Sequence, residues 1–247
     1  MKIPERINSS VRKVLISGAD RGVGFALAKA FLKEGWTVFA GQYMREWDEL
    51  EKLKSRYADT LHIIPLDVSS SESVNKAFTG VKALTENLDM IVNNAGISGG
   101  AGDITAIEDV QKGAQIFNVN CLGSLRITHT FLPLTTQADS LKRLCYVSSE
   151  AGSVSVCHRQ DGFIYPMSKT ALNMAVKLLF EDLHPKGYSF RLYHPGWVRS
   201  YMSGVKSTHG KFEPEETAAA AVRYFLKDQA REDALRLVDN ENAVWPF

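Results

Sequence analysis

The sequence predicts an α/β fold built on a doubly wound parallel sheet of about seven strands, with helices on both faces. Short β-branched apolar runs alternate with longer segments of helical period, which is typical of strand–helix–strand units. The apolar runs are continuous, as expected of strands that helices cover on both sides, and right-handed crossovers make such a sheet doubly wound. No linker or internal repeat divides the chain. We therefore expect an N-terminal extension over residues 1–12 and a single domain over residues 13–247.

The first half of the chain contains four predicted strands separated by helices. A helix with one apolar face follows the first strand and stops at Gly35, because glycine most easily adopts the left-handed conformation at a helix end. A polar helix over residues 49–57 follows the second strand. Ser69 and Glu72 match an S-x-x-E capping box, which opens a helix towards Ala83. The four strands are predicted at residues 13–17, 37–41, 61–66 and 88–92.

The second half is predicted to contain two long helices and three further strands. The long helices cover about residues 109–132 and 165–183, and each links two consecutive strands. The carboxyl ends of parallel strands meet at one edge of the sheet, so polar residues that follow the strands should lie close together. The three strands are predicted at residues 143–148, 189–194 and 235–238.

The composition of the chain excludes several classes of protein. Of its 247 residues, 45% are apolar, which is too many for a disordered chain. The 29 basic residues nearly balance the 28 acidic ones, so no nucleic-acid-binding surface is expected. No apolar run approaches the roughly 18 residues that a membrane span requires, so no membrane association is expected.

The N-terminal sequence and the cysteines indicate the compartment. The first residues contain no apolar segment of the kind found in secretory signals. Cys121, Cys145 and Cys157 are odd in number and form no C-x-x-C pair, which fits a reducing compartment better than a disulfide framework. We therefore expect a cytoplasmic protein.

A glycine-rich segment joins the first predicted strand to the first helix. In residues 17–24 the glycines follow the spacing G-x-x-x-G-x-G. Glycines at this turn let backbone N–H groups approach a pyrophosphate at the positive end of the helix. A turn that only packs helix against strand is the alternative. The position of the glycine segment after the first strand of a Rossmann-type βαβ unit favours nucleotide binding.

The end of the second strand indicates which nucleotide binds. A carboxylate there would hold a ribose 2′-hydroxyl and repel a 2′-phosphate, but residues 41–45 contain no acid. Arg21 in the glycine segment and Arg45 after the strand supply two cations that suit a phosphate. This pattern favours NADP(H) over NAD(H). The alternative is that both arginines are solvated surface residues.

A tyrosine and a lysine four residues apart open the second long helix. The spacing places Tyr165 and Lys169 on one face, which continues as the apolar face that packs on the sheet. The pattern Y-x-x-x-K alone is weak. The fifth strand adds the hydroxyl of Ser149 at the same sheet edge, and the fourth adds the segment of residues 93–96. We expect Asn93 to have a structural role.

These motifs, taken together and in order, resemble the single-domain short-chain dehydrogenases/reductases, and the resemblance covers the chain after residue 12. It implies an NAD(P)-dependent oxidoreductase acting on CH–OH groups. The catalytic residues it implies are Asn120, Ser149, Tyr165 and Lys169. The cofactor-binding residues it implies are Gly18, Asp20, Arg21, Gly22, Val23, Gly24, Arg45, Asp67, Val68, Asn94, Ala95, Gly96, Tyr165, Lys169, Pro195, Gly196, Val198 and Ser200.

The family resemblance can be narrowed to a branch. The separation of Ser149 from Tyr165 is longer than is usual in the family, and the chain ends in Trp245-Pro246-Phe247. With the Gly196–Arg199 continuation, these features look like the carbonyl-reductase branch that includes the C-signal-type proteins. The substrate implied is a small-molecule carbonyl compound or its alcohol. The alternative is a nucleotide-binding regulatory protein on the same scaffold with weak or vestigial turnover.

The chemistry of carbonyl reduction assigns a role to each implied catalytic residue. A free tyrosine has a pKa of about 10, and a nearby ammonium would lower it, so Lys169 is expected to activate Tyr165 as the general acid and base. Ser149 would donate a hydrogen bond to the substrate oxygen. Asn120 would hold a water molecule that joins Lys169 to solvent. No metal is expected, since the histidines and cysteines lack ligand spacing.

Three further expectations concern surfaces. Residues 200–212 contain two glycines and no helical pattern, so they form either a lid or an ordinary surface loop. Tyr201, Met202 and the insertion of residues 153–163 are candidate walls of a substrate pocket. The face of the second long helix opposite Tyr165 carries a second apolar stripe, which predicts a homodimer. The alternative is that the chain's own insertion loop covers the stripe. That stripe consists of Met167, Ala171, Met174 and Leu178.

Overall fold

The computed structural model describes residues 7, 11–99, 102–106, 110–136, 140–202, 204–227 and 233–247. Within these residues, one sheet has the strand order β3-β2-β1-β4-β5-β6-β7-β8. Strands β1 to β7 pair in parallel, and β8 pairs antiparallel with β7. The strands are Lys13–Ile16 (β1), Thr37–Gln42 (β2), Leu61–Pro65 (β3), Met90–Asn93 (β4), Arg143–Val147 (β5), Ser189–His194 (β6), Leu237–Asp239 (β7) and Val244–Trp245 (β8).

Helices cover both faces of the sheet, which confirms the predicted α/β fold. One face packs against α1, α2 and α7, and the other packs against helices that include α3, α5 and α6. Each face has its own apolar core, so the central strands are buried on both sides. The helices are Gly22–Lys33 (α1), Glu49–Lys54 (α2), Ser71–Leu84 (α3), Val110–Phe117 (α4), Ser124–Phe131 (α5), Ile164–Leu183 (α6) and Pro214–Leu226 (α7).

The strand order reverses between β1 and β4, and this reversal positions the site. Leu15 of β1 pairs with Phe39 of β2 on one side and with Ile91 of β4 on the other. The chain leaves β1 and β4 towards opposite faces of the sheet, which opens a crevice at their carboxyl ends. The glycine segment lies at this crevice, as expected.

Two predicted helix features are wrong in detail. The N-cap of α3 is Ser70, whose hydroxyl accepts a hydrogen bond from the Ser73 amide, so Ser69 and Glu72 form no capping box. Ser69 instead bonds to Asp67, and Glu72 pairs with Lys76 one turn along the helix. The long helix predicted from residue 109 is interrupted by a π-helical segment over Asn118–Gly123, and its predicted first residue lies outside the described part of the chain.

The C-terminal region contains two elements that the sequence analysis did not predict. Helix α7 begins at Pro214 and has a reciprocal capping box between Glu213 and Glu216. Strand β8 has only two residues, too few to produce a periodic signal, and it raises the strand count from about seven to eight. Of the predicted N-terminal extension, residues 1–6 and 8–10 lie outside the described part. The Ile7 amide donates to the Leu84 carbonyl at 3.0 Å.

Helix α6 has the two faces that its sequence predicts. Lys169, Leu172, Val176 and Leu183 are buried on the side facing the sheet, and Tyr165 is half-buried at its start. On the opposite face the side chains of Met167, Met174 and Leu178 are more than half exposed. In the described residues, no helix is long and apolar enough to cross a membrane.

Candidate active site

The glycine segment between β1 and α1 packs closely against its own backbone and against the backbone at the end of β4. A Cβ atom at Gly24 would lie 1.9 Å from the carbonyl oxygen of Gly18. Gly18 has a φ of +62°, and a Cβ there would lie 2.9 Å from the Cα of Ala95. Only glycine fits these two positions, so the segment packs against the end of β4 and leaves its backbone bare towards the crevice.

The first turn of α1 fits an anionic group. The residue preceding the helix, Arg21, makes no side-chain cap hydrogen bond, so no cap competes for the N–H groups there. These groups and the positive end of the helix dipole favour a phosphate. With the glycine cradle, the residues present therefore fit the pyrophosphate of a dinucleotide.

Asn94 joins the ends of the two strands that border the crevice. Its side-chain amide donates to the carbonyl oxygens of Ser17 at 3.0 Å and Gly18 at 2.9 Å. The Ser17 hydroxyl accepts hydrogen bonds from the amides of Asn94 and Ala95, both at 3.1 Å. Asn93, as expected, has a structural role, since its amide points to Thr128 and to the Cys145 carbonyl.

A groove runs along the crevice, and most of the predicted cofactor-binding residues line it. The predicted residues in its wall are Gly18, Asp20, Arg21, Gly22, Val23, Gly24, Asp67, Val68, Asn94, Ala95, Gly96 and Ser200. Tyr201 and Met202, predicted as walls of a substrate pocket, line this cofactor groove. Residues that the sequence analysis did not assign are Tyr43, Met44, Leu66, Ser69, Ile97, Gln115 and Val119.

Arg45, predicted as a second phosphate-binding cation, does not line the groove. Its side chain is exposed in the turn after β2. Arg21 does line the groove, and its guanidinium carbon lies 5.2 Å from the ring centre of Trp47. The structure therefore places one of the two predicted arginines in the groove wall.

Asp20 corrects the expectation that no carboxylate reaches the end of β2. Its buried carboxylate accepts a hydrogen bond from the Tyr43 amide at 3.4 Å, immediately after the strand. Burial raises the pKa of Asp20, and hydrogen bonds from backbone amides oppose that rise. The acid comes from the glycine segment rather than from β2, so the sequence of residues 41–45 does not reveal it.

The turn after β6 lies beyond the groove, and its predicted residues are held by contacts within the chain. The Pro195 carbonyl accepts a hydrogen bond from Thr217 of α7 at 2.6 Å. Gly196 has a φ of +75°. Val198 forms a bridge with Phe212. These contacts fix the turn, and none of Pro195, Gly196 and Val198 is among the described residues that line the groove.

Lys169 and Asn120 reach the groove at Gly96. A Cβ atom at Gly96 would lie 3.4 Å from Asn120 Oδ1 and 3.6 Å from Lys169 Nζ. Lys169 is buried, donates to the Val147 carbonyl at 2.9 Å and lies 5.9 Å from the ring centre of Tyr165. Lys169 and Asn120 therefore lie at one end of the predicted cofactor groove, and the ring of Tyr165 lies next to Lys169 without lining the groove.

Asn120 is held inside the π-helical segment that interrupts the predicted long helix. Its Oδ1 accepts from the Ile97 amide at 2.8 Å, and its Nδ2 donates to the Ile97 carbonyl and the Ser168 hydroxyl, both at 2.9 Å. Ser168 in turn donates to the Tyr165 carbonyl at 2.7 Å. Asn120 thus joins the loop after β4 to the start of α6. Wide helical turns of this kind are frequent at functional sites.

Ser149 contacts a charged cluster that the sequence analysis did not predict. Its hydroxyl donates to the carboxylate of Glu150 at 2.7 Å. Glu150 also forms an ion pair with Arg159 at 2.6 Å, and it lies 3.4 Å from Nε2 of the buried His194. Arg159 belongs to the insertion of residues 153–163, so this insertion reaches the end of β5.

Burial sets the pKa values of the two ionisable residues on α6. It raises the pKa of Tyr165 to about 12, a hydrogen bond with Ser149 opposes that rise, and the negative charge of Glu150 adds to it. Burial lowers the pKa of Lys169 to about 8. The expected lowering of the Tyr165 pKa by Lys169 is therefore not found in the protein without cofactor, where burial has the largest effect on this pKa.

The missed residues carried weak signals or none. Glu150 directly follows Ser149 in the sequence, but nothing in the sequence shows which way its carboxylate points. Ser168 lies within the Y-x-x-x-K segment, at a position for which the pattern specifies no residue type. Trp47 follows β2 in a stretch without periodicity.

In the described residues, no group of three or more His, Cys, Asp or Glu side chains could hold a metal ion.

Comparisons with known proteins identify the family of this chain. Residues 12–210 match the family described as short chain dehydrogenase. An uncharacterized oxidoreductase of Schizosaccharomyces pombe is 30% identical over 236 residues, which cover 94% of this chain and 92% of that protein. The C-signal protein of Myxococcus xanthus is 40% identical over 127 residues, 50% of this chain and 74% of that protein.

Solved structures include proteins of the same fold with a nucleotide bound. A carbonyl reductase from Pseudomonas aeruginosa, in complex with NADP, superposes on this chain with a TM-score of 0.79. The two sequences are 28% identical, and the superposition covers 96% of this chain and 100% of the other.

Proposed function

Because this chain belongs to the short-chain dehydrogenase family of NAD(P)-dependent oxidoreductases acting on CH–OH groups, we propose that it reduces a small-molecule carbonyl compound, or oxidises the alcohol, with NADP(H). Tyr165 is the proposed general acid and base, and Asn120, Ser149 and Lys169 complete the catalytic set. The observation that carries the proposal is the position of Lys169 and Asn120 against Gly96, where the cofactor groove ends. Binding alone would need no proton donor there.

The bound cofactor supplies the hydride, and the protein supplies position and protons. Tyr165 donates its phenolic proton to the oxygen of the carbonyl as negative charge develops on it. The Ser149 hydroxyl donates a hydrogen bond to the same oxygen, which stabilises that charge. The ammonium of Lys169 favours the phenolate that remains. Asn120 holds the loop after β4 in place through its bonds to Ile97.

The preference for NADP(H) rests on Arg21. This arginine lines the groove next to the end of β2, where a 2′-phosphate would lie, and its planar group suits bidentate contact with phosphate. Asp20 is nearby, but its carboxylate is buried and turned to the Tyr43 amide. The resemblance to a carbonyl reductase solved with NADP supports the same preference.

We further propose a cytoplasmic homodimer that pairs through α6. The exposed stripe of Met167, Met174 and Leu178 lies on the face of this helix that points away from the sheet. Apolar side chains in such a row are stabilised when a second surface covers them. In the described residues all three cysteines are free, which fits a reducing compartment. Light scattering at micromolar concentration tests the dimer.

The alternative function is that of a nucleotide-binding regulatory protein with weak or vestigial turnover. The likeness to the C-signal protein is the reason to test this alternative. The two functions differ in one experiment. A panel of aldehydes, ketones, quinones and sterols is assayed with NADPH and NADH, and NADPH binding is followed by tryptophan fluorescence. We expect binding and turnover together. Binding of NADPH without turnover of any member of the panel would favour the regulator.

A further inference from the structure

Trp47 contacts two parts of the chain that are far apart in sequence. The guanidinium carbon of Arg21 lies 5.2 Å from the centre of its ring. The ring of Tyr201 lies 4.8 Å from the same centre, at an interplanar angle of 66°. Arg21 precedes α1 at the glycine segment, and Tyr201 belongs to the loop of residues 200–212, which we call the β6–α7 loop. One indole therefore joins the cofactor groove to this loop.

The position of Trp47 itself is fixed by the end of β2. Its carbonyl accepts a hydrogen bond from the side-chain amide of Gln42 at 3.2 Å, and its amide donates to the Met44 carbonyl at 3.3 Å. Gln42 is the last residue of β2 and is buried. The backbone of Trp47 is therefore anchored to the last residue of β2.

The β6–α7 loop is closed at its base. The Arg199 amide donates to the Phe212 carbonyl at 2.9 Å, and the Lys211 amide donates to the Trp197 carbonyl at 2.6 Å. Residues 200–202 and 204–210 extend from this closed base, with Ser203 outside the described residues. Ser200, Tyr201 and Met202 line the cofactor groove, so this part of the loop covers it. Tyr201 makes the aromatic contact with the β2 side of the groove.

We propose that Trp47 is a positioning residue that couples recognition of the 2′-phosphate of the cofactor by Arg21 to closure of the β6–α7 loop through Tyr201. The inference rests on the proposed NADP(H) function. A guanidinium held over an indole ring by a cation–π contact uses none of its N–H groups in that contact, so it can still contact a phosphate bidentately. A phosphate that holds Arg21 over the ring also holds the ring in place for Tyr201. By linkage, loop closure then strengthens phosphate binding by the same factor.

The first test compares ligands that differ in one phosphate. Binding of 2′,5′-ADP and of 5′-AMP is measured by calorimetry on the wild type, Trp47→Phe, Trp47→Leu and Tyr201→Leu. We expect the wild type to prefer 2′,5′-ADP. Trp47→Leu should reduce this preference by about twofold to fivefold, the value of an exposed cation–π contact, while affinity for 5′-AMP stays unchanged. Trp47→Phe keeps a ring under Arg21 and should retain most of the preference.

The second test measures loop closure without turnover. Trypsin can cleave the β6–α7 loop after Lys206 and Lys211, whose side chains are exposed. We expect 2′,5′-ADP to slow cleavage of the wild-type loop more than 5′-AMP does. In Trp47→Leu and in Tyr201→Leu both nucleotides should give the same rate. Tyr201→Leu should also lower the preference for 2′,5′-ADP, although Tyr201 contacts Trp47 and not the arginine.

The outcomes separate the inference from the proposed function. A wild type that binds 2′,5′-ADP and 5′-AMP equally would overturn the NADP(H) assignment and the inference together. A wild type that prefers 2′,5′-ADP, with the same preference and the same protection in Trp47→Leu and Tyr201→Leu, would overturn the inference and leave the cofactor assignment intact. A folded Tyr201→Leu decides the matter if Trp47→Leu is unstable.

Discussion

The hydroxyl of Ser149 donates a hydrogen bond of 2.7 Å to the carboxylate of Glu150, which is the next residue in the chain. A hydroxyl has one hydrogen to donate, so a substrate carbonyl has to take this hydrogen bond from Glu150. Glu150 also forms an ion pair with Arg159. The charged cluster therefore sets both the direction of the Ser149 hydroxyl and the field around Tyr165.

Replacement of Glu150 should lower the pKa of Tyr165. The negative charge of Glu150 raises that pKa, so Glu150→Gln, which removes the charge and keeps the shape, should make the phenol ionise at lower pH. In alcohol oxidation, where Tyr165 accepts a proton, the rise of kcat/KM with pH should move to lower pH. Asp182→Asn, at the exposed end of α6, is the control. An unmoved or raised profile would contradict the role given to Glu150.

Lys169 should make stability depend on pH above neutrality. Its folded pKa is about 8, below the unfolded value of about 10.4, so between these values the unfolded chain binds more protons. The contribution of Lys169 to the free energy of unfolding therefore increases as the pH rises from about 8 towards 10. In urea titrations without cofactor, the wild type should gain stability relative to Lys169→Met over this range. The control is Lys177→Met, at an exposed position of the same helix, and the wild type should gain no stability relative to this variant over the same pH range. An equal gain of the wild type relative to both variants would refute the assignment.

The glycine cradle should tolerate no side chain. Gly24→Ala would place a methyl group 1.9 Å from the Gly18 carbonyl oxygen, so we expect loss of NADPH binding and a lower melting temperature. Gly80→Ala in α3 is the matched control, because among the described residues only the backbone of its own helix lies near its Cβ position. This control should bind NADPH normally and gain about 0.5–1 kcal/mol of stability. Normal NADPH binding by Gly24→Ala would show that the cofactor lies elsewhere.

The two arginines near β2 should differ in their effect on the cofactor. Arg21 lines the groove and Arg45 does not, so Arg21→Ala should raise the KM for NADPH by about tenfold, the value of a charged hydrogen bond. Its effect on the KM for NADH should be small. Arg45→Ala should change the KM for NADPH less than Arg21→Ala does. Steady-state kinetics with both cofactors measure this, and equal effects of Arg21→Ala on NADPH and NADH would argue against a 2′-phosphate site.

The parts of the fold that the sequence predicted are those with a periodic or local signal. Continuous apolar runs predicted β1 to β6 to within two residues at each end, and the stripe on α6 predicted which side of that helix is buried. Helix α7 was not predicted, although its Glu-Pro-Glu-Glu start carries a capping signal at the sequence level. The two residues of β8 pair only because β7 is present, which is a tertiary effect.

The parts of the site that could not be predicted depend on side-chain direction. Gly24 and Asn94 are fixed by contacts that any chain with this motif and fold must make. Asp20 and Glu150 carry charges whose targets, the Tyr43 amide and the Ser149 hydroxyl, are set by how the loops fold back. The pKa of Tyr165 depends on burial, which a spacing of four residues from Lys169 does not report.

The most direct measurement of the central claim compares Tyr165→Phe with the wild type in two assays on one preparation. Fluorescence titration gives NADPH affinity, and single-turnover kinetics give the rate of carbonyl reduction with a substrate of the wild type. We predict NADPH affinity within a fewfold of the wild type and no measurable reduction, because phenylalanine keeps the ring but has no proton to donate. Near-normal reduction by Tyr165→Phe would contradict the account.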